Sequence, residues 1–153
     1  MGYPVIFKPD SIFKVYGNKP SNFEVTPSAR LGVDESSGAS LAVAGETLFY
    51  LSRAGIVSYS GGIPSPIGEP LGEKRFRNAV GGSDGLRYYV SMDDGLFVFD
   101  TQTRLWHKED DLQAIGFAYA EGSLYCLADD GKIWAMGNAV ISQEAAVATT
   151  LTD

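Results

Sequence analysis

Four stretches of the chain alternate apolar and polar positions in the same way. Each has an apolar, aromatic-rich strand, a tight polar or glycine turn, and a second alternating strand. The first runs over residues 5–17, the second over 48–61, the third over 88–100 and the fourth over 124–135. Strict alternation over short runs, bounded by turn residues, predicts half-buried β-strands joined as hairpins. Aligned on the turn positions Ser11, Gly55, Gly95 and Gly131, the units recur at intervals of 44, 40 and 36 residues. Two-residue hairpin loops favour a residue with positive φ, and Asp94-Gly95 and Asp130-Gly131 would supply one.

Weaker strands flank these hairpins in a fixed order. Small-residue strands precede three of them, at residues 40–45, 78–81 and 115–120. Outer strands follow, at residues 22–26, 104–108 and, more weakly, around Ser65-Pro66-Ile67. Proline in a strand belongs at an edge. A recurring period near 40 residues with four short strands per unit is the sequence signature of a propeller blade. The fold expected is therefore all-β, a partial β-propeller of about four blades. Its repeat domain spans residues 1–138, in units 1–27, 28–72, 73–111 and 112–138, followed by a tail, 139–153. The first unit lacks its inner strand. The tail could be the outer strand of the fourth unit, an inner strand for a first unit, or a short helix. An open half ring would expose sheet faces and an edge, so a second copy is expected to complete it as a homodimer or other self-assembly. In that picture the tail of one copy could complete the first blade of the other.

Composition narrows the function. The chain has 153 residues, 18 glycines, eight Tyr and eight Phe, and a formal net charge of −7. That charge argues against a nucleic-acid partner. The basic run Lys74-Arg75-Phe76-Arg77 is small and reads as a solvated strand edge. No apolar run reaches the roughly 18 residues of a membrane span, and the opening residues carry no signal-peptide pattern. Cys126, the only cysteine, lies in a strand pattern and is expected as a buried thiol; His107 is too remote in sequence to be its base.

No residues are assigned to catalysis, to a cofactor or to a metal. Asp93-Asp94 and Asp129-Asp130 are ordinary turn chemistry before they are cation ligands. Ser91-x-Asp93-x-Gly95 and Asp129-x-Gly131-x-x-Trp134 resemble the Asp-box of sialidase-type propellers, which implies a hairpin device and not a catalytic centre. Glu109-Asp110-Asp111 reads as a solvated loop, and His107 as an exposed strand residue. A carboxylate pair could run glycoside hydrolysis only at a defined separation across the bond. The six arginines, at 30, 53, 75, 77, 87 and 104, show no clustered motif for a substrate carboxylate. Tyr50, Tyr59, Tyr88, Tyr89, Phe97, Phe99 and Trp134 recur at equivalent repeat positions, which favours packing between blades over a carbohydrate platform.

Several segments together resemble minor structural, tail-associated proteins of phages and prophages of Gram-positive bacteria. They are residues 7–17, 47–56, 78–80 and 104–110, and the resemblance covers roughly Tyr3 to Trp134. Members of that family are longer on both sides, and no catalytic residues transfer from it. The resemblance implies a non-enzymatic structural or protein-interaction module, made in the bacterial cytoplasm and carried in the virion, with other virion proteins as partners. A carbohydrate-binding propeller module is the alternative, with a glycan as partner, and a glycan-cleaving propeller enzyme the third.

Overall fold

The computed structural model describes residues 3–136 and the backbone of Ala146–Val147. It forms four antiparallel sheets. The first holds β1 (Val5–Lys8), β2 (Ser11–Tyr16) and β3 (Glu24–Arg30). The second holds β4 (Ala42–Ala44), β5 (Thr47–Ser52), β6 (Gly55–Tyr59) and β7 (Ser65–Pro66). The third holds β8 (Val80–Ser83), β9 (Arg87–Met92), β10 (Gly95–Asp100) and β11 (Trp106–Asp110). The fourth holds β12 (Ala114–Ala120), β13 (Ser123–Ala128), β14 (Ile133–Met136) and β15 (Ala146–Val147). Within each sheet neighbouring strands follow chain order, so each is a meander. Sheets of this form, one after another, are blades 1 to 4 of a propeller arc.

The hairpins sit where the alternation placed them, but their turn chemistry differs. Ser52 pairs with Gly55 and Met92 with Gly95, so the two loop residues are Arg53-Ala54 and Asp93-Asp94. The positive φ falls on the glycine that follows, +104° at Gly55 and +123° at Gly95. This suits a turn whose central residues keep negative φ and whose next residue needs glycine. Ser11 can stand at the same point in blade 1 because its φ is not positive. The loop with positive φ at both central residues is Glu121-Gly122, between β12 and β13.

Strand limits also shift. The outer strand expected at residues 22–26 runs from Glu24 to Arg30, since Pro20–Asn22 forms a 3₁₀ turn. The strand expected at 104–108 begins at Trp106, because Arg104 takes φ +59°. It ends at Asp110, which corrects the loop reading of Glu109 and Asp110. Lys74-Arg75-Phe76-Arg77 is not a strand edge; it lies in the irregular connection to β8. Ala146–Val147 pairs with Trp134 and Ile133. This stretch of the tail is thus the outer strand of blade 4 and is not an inner strand for a first blade; the rest of the tail lies outside the described residues.

Three apolar clusters account for the core, and each lies between two blades. Between blades 1 and 2 are Ile12, Tyr50, Val57 and Tyr59, with Phe7 against them. Between blades 2 and 3 are Phe49, Leu51, Ile56, Tyr88, Val90 and Phe99. Between blades 3 and 4 are Tyr89, Leu96, Val98, Leu124 and Cys126. Successive residues of a strand point to opposite faces, so Tyr50 turns to blade 1 while Phe49 turns to blade 3. Tyr88 turns back to blade 2 and Tyr89 forward to blade 4 by the same rule. The Phe49 and Tyr88 rings stack with centroids 5.2 Å apart.

The inner strands are small because the blades converge there. A Cβ on Gly81 would stand 2.3 Å from the Ser40 carbonyl oxygen, and one on Gly82 2.5 Å from Phe117. Gly81→Val should therefore lower stability by about 1–3 kcal/mol through overpacking. Gly116→Ala, where an added Cβ meets nothing within 4 Å, should leave stability within about 0.5 kcal/mol of the parent. Urea midpoints of the two variants check the contrast; equal losses would refute the close-approach account.

Candidate functional site

The turn end of the arc carries the most polar chemistry. Segment 34–40 leaves β3 and stitches three blades together. Asp34 donates its backbone N–H to Leu51 O and accepts hydrogen bonds from the Ser36 N–H (3.1 Å) and Ser36 hydroxyl (2.7 Å). The Ser36 oxygen in turn accepts the Asn78 N–H, and the buried Ser37 hydroxyl accepts the Ala79 N–H. Ser40 accepts the Leu51 N–H through its hydroxyl and the Tyr88 phenol through its carbonyl, at 2.9 and 2.8 Å. Ser91 has a similar role in the following blade. It accepts the Ala114 N–H and donates to Leu112 O. These side chains satisfy backbone groups where irregular segments are buried.

Around this staple the structure brings Arg53 together with Arg75 and Arg77 of the basic run, more than twenty residues further along the chain. They line one cleft of about 360 Å³ with Asp10, Asp34 and Glu35. Arg53 pairs with Asp10, and Arg75 lies 3.6 Å from Asp34. The hydrogen bonds from Ser36, aided by Arg75, hold the Asp34 carboxyl below the usual carboxylate range. A second cleft of about 490 Å³ lies between the β5–β6 hairpin and the connection to β8, with Phe76 on its wall. The basic run is thus a latch: Phe76 is buried between blades 2 and 3, Lys74 pairs with Asp94, and the Arg77 N–H reaches Asp93. Sequence reading missed it because its anchors come from a different unit, with only the single Phe between cations as a signal.

The acidic pairs behave as turn residues. Asp130 accepts the Lys132 N–H and pairs with its ammonium, and the Asp129 N–H donates to Gln113 O. Among the described residues no group of three His, Cys, Asp or Glu side chains could hold a metal ion. His107 is exposed, on the face of β11 opposite to Trp106, with Nε2 3.0 Å from the Glu109 carboxylate. Asp111 pairs with Lys108, and none of Glu109, Asp110 and Asp111 borders a described cleft. Cys126 is fully buried between blades 3 and 4. Tyr50, Tyr59, Tyr88, Tyr89 and Phe99 are buried, and Phe97 and Trp134 pack against the clusters, so these aromatics are core and form no open platform.

The chain is therefore a β-propeller-like repeat protein, all-β, with one meander sheet per blade. A comparison with solved structures agrees. The crystal structure of BamB from Moraxella catarrhalis, a β-propeller, matches 88 % of this chain with a TM-score of 0.56 and 12 % sequence identity. The match covers 40 % of the BamB chain, so this chain corresponds to less than half of that protein. At this identity the likeness concerns the fold alone. No protein-family model matches the sequence, and no curated protein does.

Burial raises three phenols. It pushes Tyr89 up to about 12, and it also raises Tyr50 and Tyr88. The native state then keeps a proton that the unfolded chain gives up, so stability falls as pH rises. The melting temperature should hold below pH ~9 and drop from pH ~10 upward, with these phenols ionising only as the fold is lost. Tyrosinate absorbance followed together with circular dichroism checks this. Ionisation of all eight tyrosines near pH 10 with the fold intact would contradict it.

Proposed function

We propose that this chain is a non-enzymatic β-propeller interaction module, which works through protein–protein contacts and pairs with a second copy of itself. The observation that carries the reading is an unpartnered apolar sheet face at each end of the arc. The three inner interfaces follow one rule. The strand that opens each hairpin offers two residues forward, Val5 and Phe7, then Phe49 and Leu51, then Tyr89 and Ser91. The next blade receives them with Leu48 and Tyr50, then Tyr88 and Val90, then Leu124 and Cys126. Blade 4 offers Tyr125 and Leu127 at the same positions, flanked by Ile133 and Ala135, with no fifth blade against them among the described residues. Blade 1 turns Ile6, Phe13, Val15 and Val25 outward, with Ile6 and Val25 44 % and 55 % exposed.

Blade 4 of one copy stacked on blade 1 of another would continue the contact already made three times within the chain. Two such contacts would close an eight-blade ring, inside the usual range of four to eight. The virion setting, with other virion proteins as partners, rests on the resemblance to tail-associated phage proteins. A second reading, carbohydrate binding, draws on the cleft of Arg53, Arg75 and Arg77, whose donors and neighbouring carboxylates could bond hydroxyl groups; glycan-array binding tests it.

Light scattering during size exclusion should give twice the chain mass at micromolar concentration. Ile6→Asp and Leu127→Asp, one on each end face, should each return the chain to a monomer with an unchanged far-UV spectrum. A monomer at every concentration, or dimers insensitive to both substitutions, would overturn the pairing.

A further inference from the structure

Cations gather in one place against the charge of the chain. The net charge is −7, with 12 Lys and Arg in all, yet Arg53, Arg75 and Arg77 share the cleft of about 360 Å³ beside segment 34–40. Each is set on backbone that its surroundings hold in place. Arg53 lies in the two-residue β5–β6 turn, where the Ser52 hydroxyl donates to Gly55 O and accepts the Ala54 N–H. Arg75 and Arg77 flank Phe76, whose ring is buried against Phe97 with centroids 6.0 Å apart. The Arg77 N–H is held by Asp93. Its guanidinium is exposed and has no hydrogen bond or ion pair among the described residues.

The carboxylates of the cleft are of two kinds. Asp34 is fixed: its side chain is 10 % exposed and held by Ser36, so it belongs to the staple. Asp10 and Glu35 are exposed and can swing into water. The Asp10 side chain is 68 % exposed and that of its partner Arg53 57 %. A pair this exposed contributes little and is readily exchanged. An incoming carboxylate can replace Asp10 on Arg53 and reach the unpaired Arg77, since the guanidinium fork suits two-point contact with carboxylates. Arg53 and Arg75 also line the neighbouring cleft of about 490 Å³, where Pro66, Leu71 and Phe76 supply apolar surface. An anion-binding half and an apolar half thus adjoin at two arginines.

We propose that the two clefts form one groove for an acidic, extended peptide segment, with carboxylates on Arg53 and Arg77 and an apolar side chain beside Leu71 and Phe76. A lone phosphate or carboxylate ion would fill only the arginine half. A polypeptide carries both kinds of group along one chain. The arginines stand on backbone already fixed, so binding has little of the protein to order. The inference names a partner for the interaction module proposed above and rests on that reading. The groove lies at the turn end of the arc and on neither end face, so peptide binding and self-pairing fail separately.

Fluorescence anisotropy with the full chain tests the proposal, and the probe is a labelled peptide of three aspartates followed by two leucines. Arg53→Ala and Arg77→Ala should each weaken its binding about fivefold or more, with the far-UV spectrum and urea midpoint of the parent. Asp10→Asn and Glu35→Gln, which remove competing carboxylates, should each tighten it about twofold. Lys19→Ala, at an exposed position outside the groove, should change nothing. The proposal is overturned if no binding occurs at millimolar peptide, if both arginine variants bind as the parent does, or if a peptide with asparagine in place of aspartate binds equally well. Equal binding by a peptide with alanine in place of leucine would reduce the groove to an anion site and overturn it too.

Discussion

The contact between one blade's forward face and the next blade's receiving face is what the rest of this structure depends on. A short meander of three or four strands cannot stand alone in water, because both of its faces are apolar. Each must be covered by another sheet. The Phe49–Tyr88 stack lies at the middle contact, and Tyr88 also ties its phenol to the backbone of segment 34–40. Packing and polar satisfaction thus meet at one side chain. The same rule, applied to the ends of the arc, leaves two sheet faces without a neighbouring blade among the described residues.

Much of the architecture was legible in the sequence because it repeats. Alternation around Gly55, Gly95 and Gly131 locates the hairpins, since a positive φ there admits little but glycine. The small strand ahead of β9 is legible for a related reason: at Gly81 and Gly82 the approach of Ser40 and Phe117 leaves no room for a side chain. Strand ends were less legible. Arg104 adopts positive φ without being glycine, and Pro27 stays inside an edge strand where its missing N–H costs nothing. The primed turn at Glu121-Gly122 was overlooked because Asp-Gly pairs nearby carry a stronger signal.

The polar end of the arc was almost illegible. Its components come from connections that differ in every unit: Asp34, Ser36 and Ser37 before blade 2, and Lys74 to Arg77 before blade 3. No period links them, so only the folded arc shows three arginines around one cleft, or a basic run acting as a latch through buried Phe76. The order of the strands was readable, but the role of the tail was not. Its sequence suits any edge, and the pairing of Ala146–Val147 with β14 places that stretch in its own blade.

A double-mutant cycle on Phe49 and Tyr88 tests most directly the claim that blades are held by face-to-face packing. Phe49→Leu, Tyr88→Leu and the double variant, compared by urea denaturation, should show a coupling of about 0.5–1.5 kcal/mol, in the range of a stacked aromatic pair. Losses that add to within about 0.3 kcal/mol would mean that the two blades do not stabilise each other through this contact, and would contradict the account.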